Sequence, residues 1–226
     1  MFGKHKKTDE PPVPVIPWSD IWECSITDEE RPASAHRKHA VLGPRAFRVA
    51  QGAGAQRVLS PCAFFPPPTH PEDLARSLYE DPEGTQLLCS VDEPENVDGI
   101  RHHRVIGAGG EIVGTILRTA PLRHALKPTW RIDQPGHPAI VSSAEWAEGG
   151  RKDIVQRGAG KLLLGAVQAV ADMGAEGGDQ AAKSRVLEWR SGTDLVMTSD
   201  NDVRYLIRAD WLDRRLVFAY GLLRSM

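Results

Sequence analysis

The end of the chain constrains the fold more than any other stretch. From Leu212 onward, Leu216, Val217, Phe218, Ala219, Tyr220, Leu222 and Leu223 follow one another with few polar interruptions. At 3.6 residues per turn they cover almost every face of a helix, and a helix that is apolar all round has to be buried. The run is far shorter than the ~20 apolar residues that span a bilayer, so protein has to enclose it. The helix is expected from Asp210 to Arg224, with Asp210 as N-cap and Asp213 three residues later as an imperfect capping box.

The enclosing material reads as β-sheet. Arg101 to Ile106 and Glu111 to Leu117 flank Gly107-Ala108-Gly109-Gly110, a hairpin around permissive turn residues. Thr129 to Ile132 and Ala139 to Ser142 flank Asp133-Gln134-Pro135-Gly136, which is again turn chemistry. Three more short runs, Val186 to Trp189, Leu195 to Thr198 and Val203 to Ile207, are separated by Gly192 and Asn201 and read as a meander. Earlier, Phe47 to Val49, Arg57 to Leu59 and Gln86 to Val91 read as strands. A short helix is expected over Pro71–Glu80, from Pro71 at its first position, acidic residues in its first turn, an apolar face of Leu74, Leu78 and Tyr79, and the stop at Asp81-Pro82. The fold class is therefore α+β and mainly β: an antiparallel β-barrel or strongly curled sheet wrapped around a hydrophobic C-terminal helix.

Two segments fall outside that core. Residues 1–17 read as a disordered Pro-rich tail, because PPVPVIP lacks backbone donors and favours extended geometry. Residues 18–226 form one β-rich domain with a Gly/Ala-rich insertion at about 149–184, helical in pattern from Lys161 to Met173. The basic start of the chain is followed by no apolar leader. Cys24, Cys62 and Cys89 are three, far apart and without a C-x-x-C pair, which favours free thiols and a reducing compartment. The expected location is cytoplasmic, peripheral at the membrane where lipid is the ligand, with no transmembrane segment.

Most site chemistries can be argued away. In Val105-Ile106-Gly107-Ala108-Gly109-Gly110 the third glycine of a dinucleotide fingerprint falls at Ile112, and a strand follows where the phosphate needs a helix N-terminus. His102 and His103 are adjacent on a strand and point to opposite faces, while His36 and His39 sit in a basic run that repels a cation. No catalytic residue, cofactor site or metal site is assigned. With a net charge of −2, no global field recruits nucleic acid, and aromatics that would stack bases are scarce around the one basic patch. That patch comprises Arg118, Arg123, Lys127 and Arg131, with His124 among them and no acid before Asp133. Its ligand would be an anionic lipid headgroup or another phosphate-bearing group.

The Gly110-Glu111-Ile112-Val113-Gly114-Thr115-Ile116 turn and strand, the Trp130-to-Gly136 hairpin, and the meander leading into Trp211–Ala219 together resemble the tubby C-terminal-like group, which includes phospholipid scramblases and LURP-one-related proteins. The resemblance covers residues 100–148 and 185–226, and Ala-Gly-Gly stands where the group has an aspartate in the first turn. It implies a closed antiparallel barrel around the terminal helix, and no ligand-contact residue carries over. The expected function is a non-catalytic binding module for an anionic ligand. Two alternatives stay open: a hydrolase or transferase using Cys89 or a histidine, and a structural or assembly protein that docks a protein partner through exposed Trp18, Trp22 and Trp146.

Overall fold

The computed structural model describes residues 11–67, 76–119, 129–144, 186–201 and 203–226. The described residues form thirteen strands and one α-helix. The strands are β1 (Glu23–Arg31), β2 (Val41–Gln51), β3 (Val58–Phe64), β4 (Ser77–Tyr79), β5 (Leu87–Val91), β6 (Glu95–Val97), β7 (Ile100–Gly107), β8 (Ile112–Thr119), β9 (Thr129–Asp133), β10 (Ile140–Ala144), β11 (Val186–Ser191), β12 (Asp194–Asp200) and β13 (Arg204–Ile207). The helix is α1, Arg214–Ser225.

Every pairing is antiparallel, and sequence neighbours pair around most of the sheet. Two contacts turn that meander into a ring. β1 pairs β13, Cys24 opposite Tyr205, which joins the two ends of the chain. β5 pairs β7, Cys89 opposite Gly107, and closes a barrel of twelve strands that carries β6 as a short appendage on β7. Closure removes the exposed edges along which an open sheet aggregates. Register shifts interrupt the β1–β2, β2–β3, β4–β5, β7–β8 and β11–β12 ladders. Each such irregularity bends the sheet, and together they supply the curvature that closure demands.

The interior is filled by α1. Leu216, Val217, Phe218, Ala219 and Tyr220 are fully buried, against inward residues of strands all around the ring. Phe47 of β2 lies 4.6 Å from Phe218 (ring centroids), and Tyr220 meets Trp130 and Trp189 edge-on at 5.2 and 4.7 Å. Such edge-to-face contacts add about 0.5–1.5 kcal/mol each beyond the area they bury. Two glycines set how closely helix and wall approach. A Cβ on Gly221 would stand 2.8 Å from the Phe47 ring, and one on Gly114 would stand 2.9 Å from Leu216 and 2.6 Å from the Asp133 carbonyl oxygen.

The helix begins later than expected. Asp213, not Asp210, is the N-cap, its carboxylate accepting from the Arg215 amide at 2.9 Å. Residues before it are held outside the helix by Gln134, which donates to the Trp211 carbonyl at 2.8 Å and accepts from the Asp213 amide at 2.9 Å. Arg215 then bridges Asp213 at 2.8 Å and Glu111 of the β7–β8 turn at 2.5 Å. Those bonds pin the first turn of α1 to the two hairpins that close this end of the barrel.

The expected helix over Pro71–Glu80 is corrected where it can be seen: Ser77–Tyr79 is strand β4, and 71–75 lie outside the described residues. All three β4 residues are buried, so both faces of this stretch are covered, and pairing with β5 outweighs the helical start signal upstream. The helical pattern at Lys161–Met173 also lies outside the described residues. In the proline-rich segment, the Ile16 amide donates to the Pro61 carbonyl at 3.0 Å and the Arg31 guanidinium to the Pro11 carbonyl. No helix among the described residues is long and apolar enough to cross a membrane.

Candidate functional site

Register assembles a site at the end of the barrel away from the Asp213 cap. Directly opposed residues of an antiparallel pair share a face, and on β7 and β8 the pairs run Arg101–Arg118, His103–Ile116 and Val105–Gly114. Ile116 and Val105 are fully buried, so this is the inner face. The outermost row continues across the wall as Arg101, Arg118, Trp130, Ser142 and Trp189. The Ser142 hydroxyl ties it together by accepting from the Trp130 amide at 3.0 Å. Two arginines thus stand side by side at the rim, one step above His103.

Their surroundings leave them uncompensated. The acids on this side of β7, Asp92 and Glu95, bind Arg104, which points outward. Among the described residues neither Arg101 nor Arg118 has an acidic partner. Arg118 instead lies over the Trp130 ring at 5.2 Å, and Arg224 from the last turn of α1 approaches the same ring at 5.7 Å. Arg76, beside β4, adds a further guanidinium, 3.6 Å from the exposed Glu93. Like charges directly opposed across strands destabilise a sheet. Such a pair at the mouth of a barrel is a place where an anion would relieve the repulsion.

His103 lies beneath this cluster. It is 7% exposed, and its Nδ1 is buried without a hydrogen-bond partner among the described residues. Burial holds its pKa below the ordinary histidine value, and the nearby Arg76, Arg101, Arg118 and His102 push it the same way. The ring is therefore neutral at pH 7.

The basic patch read from the sequence divides between the two faces of the sheet. Arg118 faces in at the rim. Arg131 faces out, because Trp130 and Ile132 on either side of it are buried, and it pairs with Asp133 at 2.6 Å. Arg123, His124 and Lys127 lie outside the described residues, in a connection whose bracketing residues Thr119 and Thr129 are paired at this same rim. The sequence reading passed over Arg101 and Arg76. Arg101 was findable: on a strand it shares a face with His103 and Val105, and the hairpin register sets it against Arg118.

The residues of the two alternatives have ordinary structural surroundings. Cys89 is fully buried in β5, and burial pushes its thiol up to about 12, as it does for Cys62. Cys24 is raised well above the normal range for the same reason. Such thiols carry almost no thiolate at neutral pH, and nucleophilic cysteine chemistry needs the thiolate. Trp18 is half-buried; its Nε1 donates to Glu80 at 3.1 Å and Arg215 lies over its ring at 5.4 Å. Trp22 is exposed but carries the Arg214 guanidinium over its face at 4.9 Å. Trp146 lies outside the described residues.

No protein-family model, curated protein or solved structure matches the chain.

Proposed function

We propose that the protein is a non-catalytic binding module for an anionic, phosphate-bearing ligand, either a lipid headgroup or a soluble compound, taken at the rim where Arg101 and Arg118 are paired. One observation carries the reading: two directly opposed arginines on an inner barrel face, with no acid turned toward them among the described residues. Guanidinium forks match phosphate oxygens geometrically, and a pair of them gains more from an anion than a lone surface charge does. The packed interior is in keeping with this reading: α1 fills the barrel, and Arg101 at the rim is exposed. Lipid binding at this rim would place the protein peripherally at a membrane surface, in keeping with the resemblance to the tubby C-terminal-like group.

Co-sedimentation with vesicles across a salt series tests it. Binding is expected to anionic vesicles and not to neutral phosphatidylcholine, falling as salt screens the arginines. The double variant Arg101→Gln, Arg118→Gln should lose it while its melting temperature holds or rises, since the like-charge pair has been removed. Binding that ignores salt, or that survives the double variant, would overturn the reading.

A further inference from the structure

We infer that the rim takes a tetrahedral phosphate monoester, whose terminal oxygens lie between Arg101 and Arg118 and reach the Nδ1 of His103 one step inside the barrel. The inference rests on the anionic-ligand reading above and narrows it from any anion to a compact dianion with a free phosphate end.

The argument starts from the unsatisfied atom. A buried polar group normally finds a partner, and one left without costs about 1–3 kcal/mol. Among the described residues His103 Nδ1 is such an atom, on a ring 7% exposed. Around it the wall supplies Ile116 on β8 and Val105 on β7, neither of which has a side-chain acceptor. Among the described residues three guanidinium groups act on the ring, Arg76 beside β4, Arg101 on its own strand and Arg118 on β8, and all three disfavour its protonation. In the proposed arrangement the neutral imidazole carries its proton on Nδ1, so that ring and guanidinium groups alike present donors to the rim. Its complement is an acceptor with negative charge on several oxygens.

Depth selects among anions. The arginine row is one inward position above His103 along both β7 and β8, two residues of strand at about 3.3 Å each. A planar carboxylate held by the arginine forks uses both of its oxygens there and has none left to point inward. A phosphate diester has two free oxygens and carries substituents on the other two, which oppose entry into a closing barrel. A monoester has three free oxygens, enough for both arginines and a third contact below, and a single substituent that leaves through the mouth.

The test separates phosphate chemistry from its source. Inorganic phosphate and phenyl phosphate are titrated into the full-length protein while the His103 ring resonances are followed by NMR, and vesicles of phosphatidic acid, a monoester, are compared with vesicles of phosphatidylglycerol, a diester. Expected results are a shift of the His103 resonances on adding phenyl phosphate, a rise in the pH at which that ring titrates, and weaker binding by about tenfold in His103→Leu. His103→Asn, which restores a donor where Nδ1 stood, should recover most of the loss, a rescue that a purely structural role would not show. A soluble ligand is indicated where phenyl phosphate binds and both vesicles fail, and a lipid source where phosphatidic acid outcompetes phenyl phosphate. Equal binding of the two vesicle types with unmoved His103 resonances overturns the monoester site but leaves the anionic-surface function standing. Absence of binding to every one of these probes removes both.

Discussion

At the scale of single residues, this molecule shows how burial decides chemistry that residue type leaves open. Cys24, Cys62 and Cys89 are 2%, 1% and 0% exposed. Desolvation disfavours the charged thiolate, and it is the first cause of the upward shift at all three. The Cys62 Sγ also donates to the Phe47 carbonyl at 3.3 Å, which favours the protonated form again. Native protein at pH 8 should therefore stay almost unlabelled by iodoacetamide over the time in which the guanidinium-unfolded chain takes up three equivalents, read by intact-mass spectrometry. Rapid labelling of Cys89 in the folded state would bring the thiol-catalysis alternative back. His103 follows the same logic with opposite sign. Its folded pKa lies below the unfolded value of ~6.5, so the unfolded chain binds the proton more readily. The stability that this ring contributes is present above ~6.5 and is lost as pH falls toward the folded pKa.

At the scale of elements, helix and wall fit at glycines. Gly221 sits mid-helix, where alanine would ordinarily be favoured by about 0.5–1 kcal/mol. Here its Cβ would meet the Phe47 ring at 2.8 Å and the Tyr205 hydroxyl at 3.0 Å, and both side chains are fully buried. Gly221→Ala is therefore expected to destabilise, by about 1–3 kcal/mol in a urea titration, because overpacking outweighs propensity. The elements themselves were legible wherever local pattern and environment agree. The hairpins around Gly110, Gly136 and Gly192 and the turn at Asn201 lie where the sequence puts them, and all four residues adopt positive φ. What escaped had a physical reason. Asp98-Gly99, both at positive φ, is a strong two-residue hairpin signal, but β6 is three exposed residues with no apolar alternation to mark it. β1 reads ECSITDEER, and its acidic half, past Thr27, meets the register shifts against β2, so period two is lost. Arg48 looks like a surface residue, yet it is fully buried because Leu59 and Pro44 carbonyls and Glu30 satisfy its guanidinium at 3.0, 2.7 and 3.3 Å. The site was half legible for a related reason: a run of basic residues shows in sequence, whereas the face each one takes depends on cross-strand register, which splits Arg118 from Arg131 and joins Arg118 to Arg101.

At the scale of the whole molecule, barrel and helix are one folding unit. Leu216, Val217, Phe218 and Leu222 are each at most 2% exposed. Full burial of such a side chain stabilises by about 1.5–3 kcal/mol, so these four alone contribute roughly 6–12 kcal/mol. Net stability of a domain is about 5–15 kcal/mol, so the barrel has no margin to stand without its helix. The ring cannot collapse to fill the space, since its circumference is fixed by twelve paired strands. Removing residues 214–226 should therefore yield no hollow barrel. The expected product is a chain without a cooperative thermal transition, which binds a hydrophobic dye and exchanges its β1–β13 amides rapidly. Leu216→Asp should do the same with one residue, since an unpaired carboxylate at a fully buried position costs several kcal/mol, on the order of 3–5. Arg101→Gln serves as the control at the rim and should leave the transition in place. A truncated chain that melts cooperatively would mean that the strands hold their own curvature, and the helix would then be an occupant of the barrel rather than the core around which it forms.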